Sequence, residues 1–209
     1  MKLISTLVKN ARKAYDILEQ VPETSIVLLP EGCFPKREVV ATVSKRRRLF
    51  VVFNEDPYHE EGRRYNAMIG MEEGTVVWRV RKYFLWEEEK DSVDSPPEPE
   101  PIVNIRRMNT AVVICYELSK VAGYGRLFPI GETIAEAKTK ILLMPAYWQF
   151  NWGMPKQVTN ICVKKIPSLI ASAFASSNIR HGEAYAMVYS KHEGYHETRE
   201  RNGWVGAEI

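Results

Sequence analysis

Two short, uninterrupted apolar runs with a helix-like segment between them constrain the fold of this chain more than any other feature. The runs cover residues 25–29 and 49–53, and the helix-like segment covers residues 36–48. Continuous apolar runs of this length are typical of strands that are covered on both faces. Strand, helix and strand in this order predict a βαβ crossover within a layered α/β domain.

The rest of the chain predicts a mixed sheet. Apolar residues at helical spacing between Ile4 and Leu18 predict an opening amphipathic helix, which Pro22 ends. Residues 65–71 and 75–80 flank a short glycine-containing connection, which is typical of an antiparallel hairpin. The other predicted elements are a proline-rich acidic surface loop at 86–101, strands at 111–114 and 141–144, a helix near 133–140, and a final strand pair near 168–175 and 184–190.

We predict one domain over residues 1–209. Its 45% hydrophobic and 26% charged residues exclude disorder as the overall state. The net charge of +3 is too small to indicate a nucleic acid or an anionic membrane as an obligatory partner. No apolar run approaches the roughly 20 residues of a spanning helix, and the amino terminus is charged too early for a secretory signal. Three scattered cysteines favour a reducing compartment over a disulfide scaffold. We therefore expect a soluble cytoplasmic protein that uses no metal and no cofactor.

Three reactive side chains follow predicted strands directly: Glu31, Lys82 and Cys115. In α/β sheets that edge is where ligands bind. A thiol with its ordinary pKa of about 8.5 is mostly protonated at neutral pH, so a nucleophilic Cys115 requires a base or a nearby cation. Glu31 and Lys82 supply both, and the Lys82 ammonium with the backbone N–H of Tyr116 would stabilise an oxyanion. The three residues together predict covalent catalysis, with Cys33 and Cys162 as buried structural cysteines.

Three segments in order resemble the signature motifs of the nitrilase, or carbon–nitrogen hydrolase, superfamily. They are LPE at residues 29–31, RKYFL at 81–85 and VICYE at 113–117. Supporting matches are YN at 65–66, MPA at 144–146 with Trp148, and residues 175–178, so that the resemblance covers residues 25–178. One tripeptide alone carries no weight, whereas three at strand ends in the right order are a strong signal.

The resemblance implies an αββα sandwich with mixed sheets that hydrolyses amides, nitriles or carbamoyl amines through a thioester. Carried over, Glu31 is the general base, Lys82 stabilises the tetrahedral intermediate and Cys115 is the nucleophile. Tyr116 and Trp148 fall at oxyanion-binding and substrate-binding positions. A further glutamate assists in many members, and Glu98 or Glu100 could fill that place here. The family also implies a homodimer or a larger homo-oligomer.

The sequence departs from the family pattern at both ends. The family begins with a strand, whereas this chain is predicted to begin with the helix that follows it. The usual Arg-Phe-Pro-Glu is not found after the cysteine motif, and the tail after Asn178 is short. We therefore expect an αββα sandwich shortened at both ends.

Two other functions remain open beside an amidase or nitrilase. The first is a catalytically inactive binding or assembly module, which a triad too far apart to interact would indicate. The second is an amine N-acyltransferase, which would use the same triad. An amide is preferred over a nitrile because the family as a whole favours amides.

Other motifs receive structural interpretations. His192 and His196 match the His-Glu-x-x-His pattern of zinc proteases, but Gly194 weakens a helix there, which favours a polar surface segment. The basic run at 45–48 ends a predicted helix, where cations complement the helix dipole, so nucleic-acid binding is disfavoured. The acidic run at 87–89 is interpreted as solvent-exposed. The aromatic residues Tyr147, Trp148, Phe150 and Trp152 either line a substrate pocket or cover the core.

Overall fold

The computed structural model describes residues 1–8, 10–85, 87–147, 153–177, 185–200 and 203–209. Its strands are β1 Lys2–Leu7, β2 Ile26–Leu28, β3 Phe50–Glu60, β4 Arg63–Glu72, β5 Thr75–Arg81, β6 Ile102–Ile105, β7 Met108–Val112, β8 Ala122–Gly123, β9 Arg126–Leu127, β10 Ile141–Ala146, β11 Ala171–Ser176, β12 Ala186–Ser190, β13 Gly194–Thr198 and β14 Gly203–Glu208. Its α-helices are α1 Ala11–Gln20, α2 Arg37–Arg47, α3 Pro129–Glu136 and α4 Met154–Lys165, and short 3₁₀ helices cover Glu87–Glu89 and Cys115–Lys120.

Alternating side chains of the central strands build two different apolar layers. Leu3 of β1 pairs in register with Ile26, which pairs with Phe50, and these three residues face the core between two half-sheets. Their neighbours Ile4 and Val27 face the opposite way, against α1 and α2. Successive side chains on a strand point to opposite faces, so a strand buried on both sides carries apolar residues at every position.

The second half of the chain repeats this arrangement. Ile141 and Leu143 of β10 join the core between the half-sheets, whereas Leu142 and Met144 pack into a third cluster with residues of α3 and α4. The three clusters fill the three spaces of an α-β-β-α sandwich. The predicted sandwich is therefore confirmed.

The two half-sheets share one hydrogen-bonded network of 12 strands among the described residues. Nine of them form the path β5-β4-β3-β2-β1-β11-β10-β7-β6, and β12, β13 and β14 pair beside it. Parallel β1 and β11 meet only at Leu7 and Ser176. Beyond that pair, β14 runs antiparallel to β1 and β12 runs antiparallel to β11. The predicted mixed sheet, the hairpin of β4 and β5, and the final antiparallel pair of β11 and β12 are confirmed.

The prediction of a helix from Ile4 was wrong. Residues 2–7 form β1, and the helix begins only at Ala11, after Asn10 accepts a hydrogen bond from Lys13 N at 3.1 Å. The cause is burial, because β1 is a central strand with apolar side chains toward both layers, and such a run lacks strict alternation. The strand that seemed to be missing before the first helix is therefore present. The helix predicted near 133–140 lies earlier, over Pro129–Glu136, because Pro129 occupies its first turn.

The basic run at residues 45–48 has a structural role. The Arg47 guanidinium donates to the carbonyl oxygens of Glu19 and Val21 at the end of α1, the latter at 2.7 Å. Arg46 pairs with the Glu19 carboxylate, and Arg48 lies 3.8 Å from the Glu73 carboxylate. The run lies at the carboxyl end of α2, where cations complement the helix dipole, and it also joins α2 to α1 through arginines engaged within the molecule.

We expect Arg47→Ala to lower the free energy of unfolding by about 1–2 kcal/mol, because carbonyls at the end of α1 lose a charged donor. Lys45→Ala is the matched control, since this exposed lysine has no ion pair with any described residue. Urea unfolding followed by circular dichroism measures both. Equal effects of the two substitutions would contradict the structural role of Arg47.

Candidate active site

The three predicted site residues lie at one edge of the sandwich. Strands β2, β5 and β7 point the same way through the parallel and antiparallel pairings that connect them, so their carboxyl ends share that edge. Glu31 follows β2, Lys82 follows β5, and Cys115 follows β7 at the start of the 3₁₀ helix Cys115–Lys120. The structure therefore brings together side chains that the two half-sheets supply separately.

A buried ion cluster of Lys82, Glu31 and Glu89 forms the centre of the site. Lys82 Nζ lies 2.9 Å from Glu31 Oε1 and 2.8 Å from both carboxylate oxygens of Glu89. The Lys82 and Glu31 side chains are only 2% and 5% exposed. Burial alone would lower the pKa of Lys82, but the charges of Glu31 and Glu89 outweigh it and raise the pKa above its ordinary value. Lys82 is therefore a fixed ammonium.

The second carboxylate of the site is Glu89, and neither Glu98 nor Glu100 lies against Lys82. Glu100 is exposed and lies 3.4 Å from Arg81, and Glu98 is exposed as well. The interpretation of residues 87–89 as a solvent-exposed run was wrong for Glu89, because this loop turns back over the end of β5. A glutamate seven positions after Lys82 was the available signal, but composition gave no means of choosing among the loop glutamates.

Cys115 lies beside the ion cluster with a half-buried side chain. Burial, the charge of Glu31 and a hydrogen bond with Glu31 raise the pKa of the Cys115 thiol well above its ordinary value, while Lys82 lowers it. The backbone of Cys115 holds φ at 50°, a left-handed conformation that costs a non-glycine residue about 1 kcal/mol or more. The resting thiol is therefore protonated, close to a carboxylate that can accept its proton, in a strained strand-to-helix turn.

Hydrogen bonds hold Glu31 from several directions. Tyr147 N donates to Oε2 at 3.1 Å, and Asn66 Nδ2 donates to Oε1 at 2.7 Å. The Ser177 hydroxyl donates to the backbone carbonyl of Glu31 at 2.5 Å. Asn66 belongs to the YN pair that carried part of the resemblance, and its amide also reaches Glu89 Oε1 at 3.0 Å. The carboxylate of Glu31 is fixed in position before any ligand arrives.

Glu117 connects the segment that carries Lys82 to the segment that carries Cys115. One carboxylate oxygen accepts the backbone N–H of Tyr83 at 2.6 Å and that of Phe84 at 3.3 Å, and the other accepts Ile114 N at 2.8 Å. Burial raises its pKa to about 7, although these hydrogen bonds and Lys82 act in the opposite direction. Sequence reasoning quoted Glu117 within a motif but gave it no role.

The other predicted site residues have fewer described contacts, and three of them lie outside the described residues. Tyr116 is the second residue of the 3₁₀ helix Cys115–Lys120, and Lys120 Nζ lies 5.0 Å from the centre of the Tyr116 ring. Tyr147 is 42% exposed, and its ring packs against Gly32 beside Glu31. Trp148, Phe150 and Trp152 lie outside the described residues, so the choice between pocket lining and core covering stays open.

The zinc-protease interpretation receives no support. His196 lies in strand β13, so the two histidines are not one helical turn apart. The described part of the chain contains no group of three or more His, Cys, Asp or Glu side chains placed to hold a metal ion. Its helices also include none that is long and apolar enough to cross a membrane.

Comparison with known proteins gives matches among solved structures alone. No family model and no curated protein matches the sequence. Saccharomyces cerevisiae Nit3, a member of branch 10 of the nitrilase superfamily, is 15% identical, with a TM-score of 0.76 over 99% of this chain and 89% of that chain. An amidase mutant from Nesterenkonia sp. AN1, with acrylamide added to its active-site cysteine, is 13% identical, with a TM-score of 0.73 over 100% and 93%.

A third match is a CN-hydrolase superfamily protein from Xanthomonas campestris with an arsenic adduct in its active site. It is 14% identical, with a TM-score of 0.72 over 99% of this chain and 89% of that chain. This chain therefore adopts the fold of the nitrilase, or carbon–nitrogen hydrolase, superfamily. The fold agrees with the resemblance of the three sequence motifs to that superfamily.

Glu117 gives protein stability an unusual pH dependence. A pKa near 7 in the folded protein, against an ordinary 4.5, means that the folded state binds this proton more tightly. The resulting stabilisation is complete below about pH 4.5 and is lost as pH rises through 7. At about 1.4 kcal/mol per pKa unit, the loss is roughly 3 kcal/mol.

We expect Glu117→Gln, which cannot ionise, to lack this component. Urea unfolding between pH 4.5 and 8 measures the unfolding free energy of wild type and variant. As pH rises, the wild type should lose stability relative to Glu117→Gln. Glu136→Gln, at an exposed position in α3, is the matched control. A difference that does not vary with pH would contradict the assignment.

Glu31→Gln should shift the alkylation of Cys115 to lower pH, because it removes a negative charge that raises the pKa of the thiol. Intact-mass measurement of iodoacetamide labelling, from pH 6 to the most alkaline pH at which the protein stays folded, compares the midpoints of wild type and variant. Cys33 and Cys162 are buried whereas Cys115 is half-buried, so native labelling should occur at Cys115. Cys115→Ala identifies the adduct, and exposed Glu98→Gln should leave the midpoint unchanged. An unchanged or higher midpoint in Glu31→Gln would show that the two groups do not interact.

Proposed function

We propose that this protein is a hydrolase of non-peptide carbon–nitrogen bonds, with a small amide as the substrate, and that it acts through a thioester on Cys115. The observation that carries the proposal is the Lys82–Glu31 contact of 2.9 Å, beside a thiol that Glu31 contacts. The alternative of a catalytically inactive binding module, which a triad too far apart to interact would indicate, is disfavoured because Lys82 and Glu31 interact directly. The similarity to the fold of the Nesterenkonia amidase supports an amide over a nitrile.

In the first half of the proposed reaction, Glu31 accepts the thiol proton while Cys115 Sγ attacks the amide carbon. The negative charge that develops on the amide oxygen is stabilised by the Lys82 ammonium and by the N–H of Tyr116. Glu31 then returns the proton to the departing nitrogen, the carbon–nitrogen bond breaks, and ammonia or an amine leaves. A proton shuttle between nucleophile and leaving group is the ordinary task of such a base.

In the second half, water replaces the leaving group. Glu31 takes a proton from the water as the water oxygen attacks the thioester carbon. The carbon–sulfur bond then breaks to release the acid, and Glu31 returns the proton to Cys115 Sγ. Glu89 supports both halves of the reaction because its carboxylate neutralises part of the charge on Lys82. Glu31 is therefore not the only counter-ion of the ammonium. We therefore assign the assisting role to Glu89.

Ammonia release from a panel of small aliphatic amides tests the proposal. We expect turnover by the wild type, loss of turnover in Cys115→Ala, and a decrease of about 100-fold or more in Glu31→Gln, the range for a general base. Cys162→Ala, at a buried cysteine of α4, is the control for cysteine removal.

The acyl-enzyme mass separates the remaining functions. If a Cys115 adduct accumulates and is released only when an amine is added, the protein is an N-acyltransferase. If the wild type forms no adduct and releases no more ammonia than Cys115→Ala with every amide, the hydrolase proposal is wrong.

A further inference from the structure

Asn54 is a buried side chain of β3 whose amide can adopt only one orientation. The residue is 1% exposed. Gly32 N donates to Asn54 Oδ1 at 2.9 Å, and Asn54 Nδ2 donates to the carbonyl oxygen of Ala67 at 2.8 Å. A backbone N–H only donates and a backbone carbonyl only accepts, so these two partners determine which side of the amide is oxygen.

The orientation of the Asn54 amide fixes the orientation of the Asn66 amide. Asn54 Nδ2 also donates to Asn66 Oδ1 at 3.0 Å, so Asn66 must turn its Nδ2 toward the ion cluster. That nitrogen donates to Glu31 Oε1 at 2.7 Å and to Glu89 Oε1 at 3.0 Å. An amide nitrogen cannot accept a proton or a hydrogen bond. The pair Asn54 and Asn66, which we term the amide relay, therefore favours the charged form of both carboxylates.

The two oxygens of Glu31 consequently differ. Oε1 accepts hydrogen bonds from Asn66 and from Lys82, and neither donor gives up its proton. Oε2 accepts the N–H of Tyr147, whose carbonyl oxygen lies 3.8 Å from Cys115 Sγ. Among the described residues Oε2 therefore accepts one donor where Oε1 accepts two, so Oε2 keeps a lone pair for a further proton, next to the residue whose carbonyl contacts the thiol.

We propose that Asn54 is a positioning residue, which, through Asn66, keeps Glu31 Oε1 occupied and leaves Oε2 to receive the proton of Cys115. The inference rests on the proposed function for the proton transfer itself. Without Asn54, the Asn66 amide is free to rotate and to place its oxygen against the carboxylates. That arrangement is repulsive unless a carboxylate carries a proton, so the base would be protonated at higher pH.

Asn54→Ser tests the proposal without a change of charge, because a serine hydroxyl is too short to orient Asn66. We expect kcat for amide hydrolysis to fall about tenfold or more, as for a misplaced catalytic group, with KM changed less than threefold. The acidic limb of the kcat/KM profile should move to higher pH. Asn109→Ser is the matched control, since Asn109 Nδ2 donates to the carbonyl oxygen of Ala137 away from the site.

A second measurement does not depend on turnover. With ¹³C-labelled glutamate, the carboxyl signal assigned through Glu31→Gln gives the titration midpoint of Glu31, which should rise by about one pH unit in Asn54→Ser, a tenfold change in proton affinity. Asn54→Ala, which also removes the amide and adds no charge, should move it in the same direction if the serine variant fails to fold.

The outcomes separate the two proposals. An unchanged Glu31 midpoint, in whichever variant folds, overturns the role of Asn54 whatever the activity. A raised midpoint with no turnover by the wild type supports the action of Asn54 on Glu31 and overturns the proposed function instead. A fall in kcat with an unchanged pH profile would reduce Asn54 to a packing residue and would also overturn the inference.

Discussion

The burial of the Lys82 ammonium between two carboxylates is the interaction on which the site depends. A charge removed from water costs several kcal/mol unless opposite charges and hydrogen bonds compensate it. Glu31 and Glu89 lie 2.8–2.9 Å from the ammonium, and Asn66 donates to both carboxylates. Compensation by Glu89 requires the loop after β5 to turn back over the sheet edge. The electrostatics of one lysine thus determine the path of the loop as well as the chemistry beside it.

The site also depends on the packing of the two half-sheets. Glu31 and Lys82 come from the half that contains β2 and β5, whereas Cys115 and Tyr147 come from the half that contains β7 and β10. The apolar core between the halves sets their separation, and Glu117 fixes it locally because its carboxylate accepts N–H groups from both segments. A nucleophile and a base on different half-sheets meet only after the sandwich has formed. Folding and site assembly are therefore one event.

The electrostatics favour proton transfer at the moment of attack over a thiolate held in advance. Burial and the neighbouring Glu31 charge raise the pKa of Cys115, so the thiol retains its proton at rest. In the proposed reaction, Lys82 keeps its charge and stabilises the oxyanion. The proposed mechanism restricts nucleophilicity to the encounter with a bound ligand, because Glu31 accepts the thiol proton only as Cys115 attacks. It also agrees with the strained backbone of Cys115, which holds the sulfur at the sheet edge.

The sequence by itself determined the layered α/β fold, the hairpin and the three residues that follow β2, β5 and β7. It could do so because strands that point the same way deliver their carboxyl ends to one edge. It failed at β1, since a strand covered on both faces has no alternation, and it did not find Glu89, Asn54 or the role of Glu117. The contacts of Asn54 and Glu117 reach residues distant in the chain, and the place of Glu89 depends on a loop with no pattern. Only tertiary structure decided these positions, because burial and hydrogen-bond direction are properties of the packed molecule.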